Sequence, residues 1–290
     1  CRVPVFGLTA TASFDVLADV QRELKLQDDA IVTLPAEAID RKELNFEVLE
    51  IKGDVRSDLR YNLREEEIGA LKYPVIHNLI DKIPNKIRKL ESKLGFINQS
   101  SNFFKLINNK YKNGGVIFCP TKSDRLPNGV LHLKNGKDHL LGLNTKNFLK
   151  IKTFFGGVDY NSIQDQNIQD KAEESVKNQV EFIENKANLM IATKAFGMGI
   201  DKPNIRYSIH YSFPNSIESF YQEAGRAGRD GFPSICYLLY HKKDNLTNYE
   251  FYQNSFRGIE RERLIINELL EEVKYEKGFF LNILSGTVKD

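Results

Sequence analysis

Ala192-Thr193-Lys194-Ala195-Phe196-Gly197-Met198-Gly199-Ile200-Asp201-Lys202-Pro203 follows a short, wholly apolar run at 189–192. Further on, Gln222-Glu223-Ala224-Gly225-Arg226-Ala227-Gly228-Arg229-Asp230-Gly231 follows an apolar run at 205–211 and a segment of helical spacing. Apolar runs without alternation are the pattern of strands covered on both faces, and helices between them are what parallel strands require. Gly197 and Gly199 allow a tight backbone path after the first run, so Thr193 and Asp201 are expected to place a hydroxyl and a carboxylate at the ligand-facing end of that strand. In the second stretch Gln222, Arg226 and Arg229 fall at i, i+4 and i+7, one face of a helix. Two guanidiniums and an amide on one side make an anion receptor, because arginine forks match phosphate oxygens in pairs and stay charged. Gly225 and Gly228 let the backbone approach a ligand closely and mark where the helix gives out. Two surface salt bridges are the alternative, although a Gly-Arg-Ala-Gly-Arg-Asp-Gly run is costly in helix propensity unless the backbone must fit something.

Outward from these stretches the alternation of strand and helix continues. Residues 115–119 read as a central parallel strand, with Pro120-Thr121-Lys122-Ser123 at its C-terminal end. Ligands bind at that edge of open α/β sheets, so Thr121 and Ser123 are site candidates; ordinary loop hydroxyls are the equal alternative. Strands are expected at 44–51, where a new sheet begins, at 152–155 ahead of Gly156-Gly157, and at 234–240. Helical spacing runs through 57–111, at Val75, Leu79 and Ile83 and again at Phe103, Phe104, Ile107 and Tyr111, with Pro74 and Pro84 bounding or kinking the helices. A helix at 170–184 is expected to face Ala172, Val176, Val180 and Ile183 inward. Asn215 reads as the N-cap of the segment before Gln222, with Glu218 completing a capping box and Ile217, Phe220, Tyr221 and Ala224 packing one side. The fold class is therefore α/β, a parallel sheet with helices on both faces and right-handed crossovers.

Two regions fit this frame less directly. Residues 3–8 and 30–34 read as strands flanking a helix at 14–26 that carries Val16, Leu17, Val20 and Leu24. Three elements cannot enclose a core, so 1–36 reads as the tail of a preceding α/β domain, or else as a first βαβ unit of the main one. Residues 124–150 have no clean period and gather His132, Lys134, Lys137, His139, Lys146 and Lys150, with Asp138 among them. This basic insertion is either a hairpin or loop touching nucleic-acid phosphate or a solvated surface excursion. After 240 the pattern turns helical, with Leu264, Ile265, Glu268, Leu269 and Glu272 on one amphipathic helix.

Composition bounds the rest. In 290 residues, 41% are hydrophobic and 28% charged, the balance of an ordinary globular protein, and no apolar run is long enough to cross a membrane. Cys1, Cys119 and Cys236 are too scattered for a disulfide framework or a paired-cysteine metal site, which fits a reducing compartment; cytoplasm is the expected location. A formal net charge of +2 means that any polyanion site must be local. The start at Cys1, without an initiator methionine, reads as that of a piece cut from a longer chain.

With these motifs the chain resembles the C-terminal half of superfamily 2 helicases, most closely the RecQ family of ATP-dependent DNA helicases. Phe6-Gly7-Leu8-Thr9-Ala10-Thr11-Ala12 resembles motif III, 116–123 motif IV, 192–203 motif V and 222–231 motif VI. Ile39-Asp40-Arg41 resembles the segment entering the second motor domain. The resemblance implies the end of a first RecA-like domain over 1–36, a complete second RecA-like domain over 37–241, and a helical extension over 242–290. It implies that Arg229 is the arginine finger, Arg226 a second γ-phosphate contact and Gln222 a polar link between them, with Asp201 and Gly199 beside the nucleotide. Such a finger contributes on the order of 10³ to 10⁵ in turnover in related phosphoryl-transfer systems. Thr193, with Thr121 or Ser123 and Lys122, would hold the backbone of single-stranded DNA, and Thr9 and Thr11 would couple hydrolysis to domain movement. The implied substrates and partners are ATP with Mg2+, single-stranded and duplex DNA, and the first RecA-like domain; the implied activity is 3′ to 5′ translocation and unwinding.

Departures from the family pattern sharpen this. The sequence has no GxxxxGK[ST] phosphate loop and no DExH carboxylate pair, so this chain alone is expected not to hydrolyse ATP or to bind it tightly. Phe154-Phe155-Gly156-Gly157 replaces the family's aromatic-histidine pair, and no cysteine follows Cys236 to form the zinc module found downstream in RecQ proteins, so no metal site is expected. Rival readings are another superfamily 2 motor, acting on RNA or duplex DNA, which would share motif VI but not the Ala-Phe-Gly-Met-Gly-Ile run, and a non-enzymatic nucleic-acid-binding scaffold.

Overall fold

The computed structural model describes residues 14–27, 31–32, 40–56, 59–96, 102–137, 139–156, 166–196, 200–214 and 216–244. The chain divides into two units, Cys1–Lys242 and Lys243–Asp290, and the first carries every element described below. The expected strand at 3–8 and the helical pattern after 244 lie outside the described residues, as do Thr9, Thr11, Gly199 and Asn215.

In chain order the elements are α1 (Phe14–Leu24), β1 (Leu44–Glu50), α2 (Tyr61–Lys93), β2 (Leu106–Ile107), β3 (Lys110–Tyr111), β4 (Gly114–Phe118), α3 (Val130–Asn135), β5 (Gly136–Lys137), β6 (Leu140–Leu141), β7 (Ile151–Phe154), α4 (Gln166–Ile183), β8 (Leu189–Ala192), β9 (Ile205–His210), α5 (Ile217–Ala224) and β10 (Ser234–Tyr240). Six strands form one sheet in the order β1-β10-β9-β4-β8-β7, and every pairing in it is parallel. β4, β8 and β9 are buried along their whole length, as the unbroken apolar runs of β4 and β8 require, while β9 buries Arg206, Ser208 and His210 as well. On one face Ile117, Leu189, Ile191, Tyr207 and Ile209 pack with Ile76, Ile80, Ile83 and Ile87 of α2. On the other, Val116, Phe118, Met190 and Cys236 pack with Phe182, Phe196, Ile200, Ala224 and Ala227. The sheet admits no side chain at Gly115, where a Cβ would stand 1.9 Å from the Tyr207 ring.

Several local expectations are corrected. Pro74 and Pro84 do not bound helices: both lie inside α2, a continuous helix of 33 residues. Each proline costs about 3 kcal/mol in a helix interior, and burial of four isoleucines at about 1.5–3 kcal/mol each outweighs them. The aromatic residues at 103–111 do not continue a helix; Asn108 and Asn109, both at positive φ, turn a β2–β3 hairpin of the kind that needs two left-handed residues. Residues 124–150 do contain a hairpin, β5–β6, yet they are not a solvated excursion, because Val130, Leu133 and Leu143 are fully buried in the core.

The face of α4 is the other way round from the sequence expectation. Val176 is 59% exposed, and Val180 and Ile183 are exposed with it, whereas Ser175, Asn178 and Phe182 face the sheet. The reason is the neighbour. β7 is an edge strand whose backbone needs partners, and Asn178 Nδ2 donates to Thr153 O at 3.1 Å while Phe155 N donates to Ser175 Oγ at 3.3 Å. Phe182→Ala should therefore cost about 3–5 kcal/mol in a urea unfolding titration, and Val176→Ala less than about 0.5 kcal/mol. The reverse order would put the valine face inward.

Candidate functional site

A parallel sheet has an amino edge and a carboxyl edge, and strands of four to seven residues hold them about 13–23 Å apart. The two motifs occupy different edges. Thr193 follows β8 at the carboxyl edge, its N–H bonded to Phe154 O at 3.1 Å. Asp201 stands just before β9, whose first residue accepts a bond from Gly228 N at 2.9 Å, at the amino edge. Thr193 and Asp201 are thus not side by side as expected. Phe196 and Ile200, between them in sequence, are both buried in the core on the same face of the sheet.

At the amino edge the two arginines ride on a turn rather than on a helix face. Ser216, not Asn215, caps α5, its Oγ accepting from Ser219 N, and Ile217 is exposed rather than packed. The helix stops at Ala224, after which Arg226 N bonds to Glu223 O and Ala227 N to Ala224 O, a spacing of three that ends the 3.6 period. Gln222 therefore remains on α5, exposed, while Arg226 is half-buried and Arg229 exposed on the turn that follows. Gly228 closes that turn at φ +66°, and a Cβ there would press on Glu43, Phe232 O and Ser234 Oγ.

Three sets of polar contacts hold this turn. Arg229 Nη1 donates to Ile200 O at 2.8 Å and to Asp201 Oδ1 at 3.1 Å, joining the two motifs directly. Arg206, buried at the start of β9, pairs with Asp230, donates to Phe232 O and Ser234 Oγ, and lies over the Phe232 ring. Arg41, ahead of β1, donates to Gly225 O and Ala227 O. Burial, then the like charge of Arg229, pulls the Arg226 pKa below its ordinary value, with Glu223 opposing. Higher on α5, Glu223 meets His210 Nε2 at 2.9 Å, and that imidazole stacks on Phe118.

At the carboxyl edge, the loop after β4 folds back on α2. Thr121 Oγ1 donates to Asn128 Oδ1 at 3.2 Å, and buried Asn128 donates from Nδ2 to Tyr61 Oη and Glu65 Oε2, both at 2.9 Å. Ser123 Oγ accepts from Arg125 N and Leu126 N. These hydroxyls shape their loop, as the second sequence reading of them had it, and they leave Lys122 exposed beside Thr121.

Sequence reasoning missed Arg206, Asp230, Glu223, His210 and the hydrogen-bonding role of Arg41. The signal for two of them was present. Arg206 and His210 are the charged or titratable residues of an otherwise apolar, fully buried strand, where such a side chain needs a partner.

Comparison with known proteins now has a geometry to rest on. The helicase conserved C-terminal domain family matches residues 98–231. The chain is 31% identical over 273 residues to a putative ATP-dependent DNA helicase Q1 of Caenorhabditis elegans, covering 94% of this chain and 32% of that protein. It is 29% identical over 275 residues to the RecQ-like DNA helicase blm-1 of the same organism, covering 94% of this chain and 20% of that protein. Among solved structures, S. cerevisiae Dbp5 bound to RNA and ADP BeF3 aligns with a TM-score of 0.45 at 14% identity, over 86% of this chain and 48% of that one. The residues that match the helicase conserved C-terminal domain family carry β4, β7, β8 and β9 of the parallel sheet. Its relatives over most of its length are RecQ-like DNA helicases, and the chain spans a third or less of their length.

Beside Asp201, Lys202 is enclosed, its Nζ donating to Asn185 Oδ1 and lying 4.8 Å from the Phe182 ring centroid. Burial, then the charge of Arg206, pulls its pKa down to about 7. An unfolded lysine titrates near ~10.4, so between the two values the unfolded chain binds more protons and stability rises with pH. Lys202→Met removes that slope. The variant should gain most over the parent at or below neutral pH, with the gap closing as pH approaches 10; a gap that is constant with pH in paired denaturation curves would contradict the burial of a titrating amine.

Proposed function

We propose that this chain supplies the second RecA-like half of an ATP-dependent DNA helicase motor. In this reading its arginine turn completes a nucleotide site held by another RecA-like domain. The observation that carries it is the turn itself: two arginines on a glycine-broken segment, one half-desolvated, fixed from three sides at one edge of the sheet. Phosphoryl transfer spreads charge over the transferred group, and preorganised guanidiniums stabilise that charge without reorganising at the moment of reaction. Arg229 acts as the finger, Arg226 as a second γ-phosphate contact and Gln222 as the polar link. Asp201 holds Arg229 through an ion pair in which the carboxylate is 83% exposed. Such a pair is worth about 0–1 kcal/mol, so an arriving triphosphate can take the guanidinium over.

Among the described residues there is no group of three or more His, Cys, Asp or Glu side chains able to bind a metal ion. In this reading the Mg2+ ligands come from the domain that holds the phosphates. The opposite edge serves DNA in this proposal. Lys122 and Thr193 contact the backbone of a single strand, and Thr121 and Ser123 hold the loop in shape for it. In this reading the full-length protein translocates 3′ to 5′ and unwinds duplex DNA; its similarity to RecQ-like DNA helicases supports the helicase activity in general.

In the full-length protein Arg229→Ala should lower ATP turnover by about 10³ or more while ATP binding, read by fluorescent nucleotide titration, stays within a few-fold. Turnover at the parent rate would remove the finger from this turn. Lys122→Ala should weaken single-strand binding and reduce the slope of log affinity against log salt by about 0.7, the share of one phosphate contact. An unchanged slope would take Lys122 off the DNA path.

A further inference from the structure

Arg41 stands at the amino edge, ahead of β1, on the segment by which the chain enters the sheet. Its Nη2 lies 2.9 Å from Ala227 O and its Nη1 3.3 Å from Gly225 O, while its Nε pairs with Glu43. Gly225 O belongs to the peptide that enters Arg226 and Ala227 O to the peptide that joins Ala227 to Gly228, so one guanidinium holds the backbone just before Arg226 and again one residue after it. Gly225 O is also an orphan carbonyl at the C-terminal end of α5, where a helix favours a cation. Glu43 in turn is packed under the turn: its Cγ is the atom a Cβ on Gly228 would meet, at 3.0 Å. The entry segment is tied to the sheet by Leu44 N to Arg41 O at 2.9 Å and Ser234 N to Glu43 O at 2.8 Å.

We propose that Arg41 is a positioning residue of the arginine turn: by clamping Gly225 O and Ala227 O it fixes the stance of Arg226 and Arg229, and it makes that stance depend on where the chain arriving at β1 lies. The inference rests on the function proposed above. Arg41 touches no phosphate in this scheme; it acts through the backbone it holds. The planar fork is what reaches both carbonyls while Nε stays on Glu43, a geometry that a lysine's single ammonium does not reproduce. Displacement of the turn by about 1 Å is enough to cost on the order of a hundredfold in rate. Any movement of the entry segment is thereby passed to the arginines through a single side chain.

The test is ATP turnover by the full-length protein with Arg41→Ala and Arg41→Lys, beside Arg229→Ala. Both Arg41 variants should lose kcat by about ten- to a hundredfold, with KM for ATP within about threefold, because binding is left to the other domain while the transition-state contacts are misplaced. The thermal midpoint should shift by no more than a few degrees. Arg41→Lys keeps the charge and most of the stem, so it still reports on the clamp should Arg41→Ala fail to fold. If Arg229→Ala is inactive and Arg41→Lys turns over within twofold of the parent, the clamp is overturned and the function stands. If Arg229→Ala turns over like the parent, the proposed function falls and this inference falls with it.

Discussion

A parallel sheet covered on both faces obliges every connection to travel back along its length, and that constraint organises the whole domain. β8 and β9 lie on either side of β4 and run parallel to it, so no hairpin can join them. Because they are parallel, the chain leaving Ala192 at the carboxyl edge must return to the amino edge before Ile205 can begin. On that return Phe196 and Ile200 are sunk into the core. Interiors packed at crystal density hold such residues in place. Asp201, next to Ile200, is thereby set where it binds Arg229.

At the amino edge the backbone is held by charge where local propensity gives no support. Glycine at 225, 228 and 231 is a poor basis for regular structure, and α5 duly ends at Ala224. In place of a helix, Arg206 and Arg41 grip the turn from opposite ends, one through Asp230 and the other through main-chain carbonyls. A buried pair such as Arg206–Asp230 adds little net stability, because desolvation offsets the Coulomb gain. Losing one partner nevertheless costs about 3–5 kcal/mol, and that asymmetry selects one arrangement of the turn over others.

The sheet was legible in the sequence because β4, β8 and β10 are runs of mostly apolar residues bounded by turns, and the moderate alternation of 44–51 marked β1. Helix faces were less so. On α4 the eye is drawn to Val176, Val180 and Ile183, yet the neighbour is an edge strand with unpaired backbone, and Asn178 and Ser175 answer that need better than valine can. Asn108-Asn109 carried a hairpin signal that the surrounding aromatics masked. The arginines of the candidate site were visible as residue types, but their spacing was misread as a helical face. What no one-dimensional pattern held was the meeting of Arg41 with Gly225 and Ala227, separated by more than half the chain.

The whole-chain charge of +2 conceals a local concentration. Arg41, Arg206, Arg226 and Arg229 converge on one edge, and Glu43, Asp230 and Asp201 each answer one of them. Arg226 is half-buried, and its pKa is pulled down first by burial and then by Arg229, with Glu223 opposing that shift. A guanidinium in that state is still charged at any physiological pH, and it has already given up part of its hydration. An anion that reaches it therefore meets a donor whose desolvation was met by folding, in surroundings where each unit of charge counts for more than in water. The clamp on the two neighbouring carbonyls keeps that donor from relaxing back toward solvent, so the geometry of the backbone and the electrostatics of the side chain serve one end.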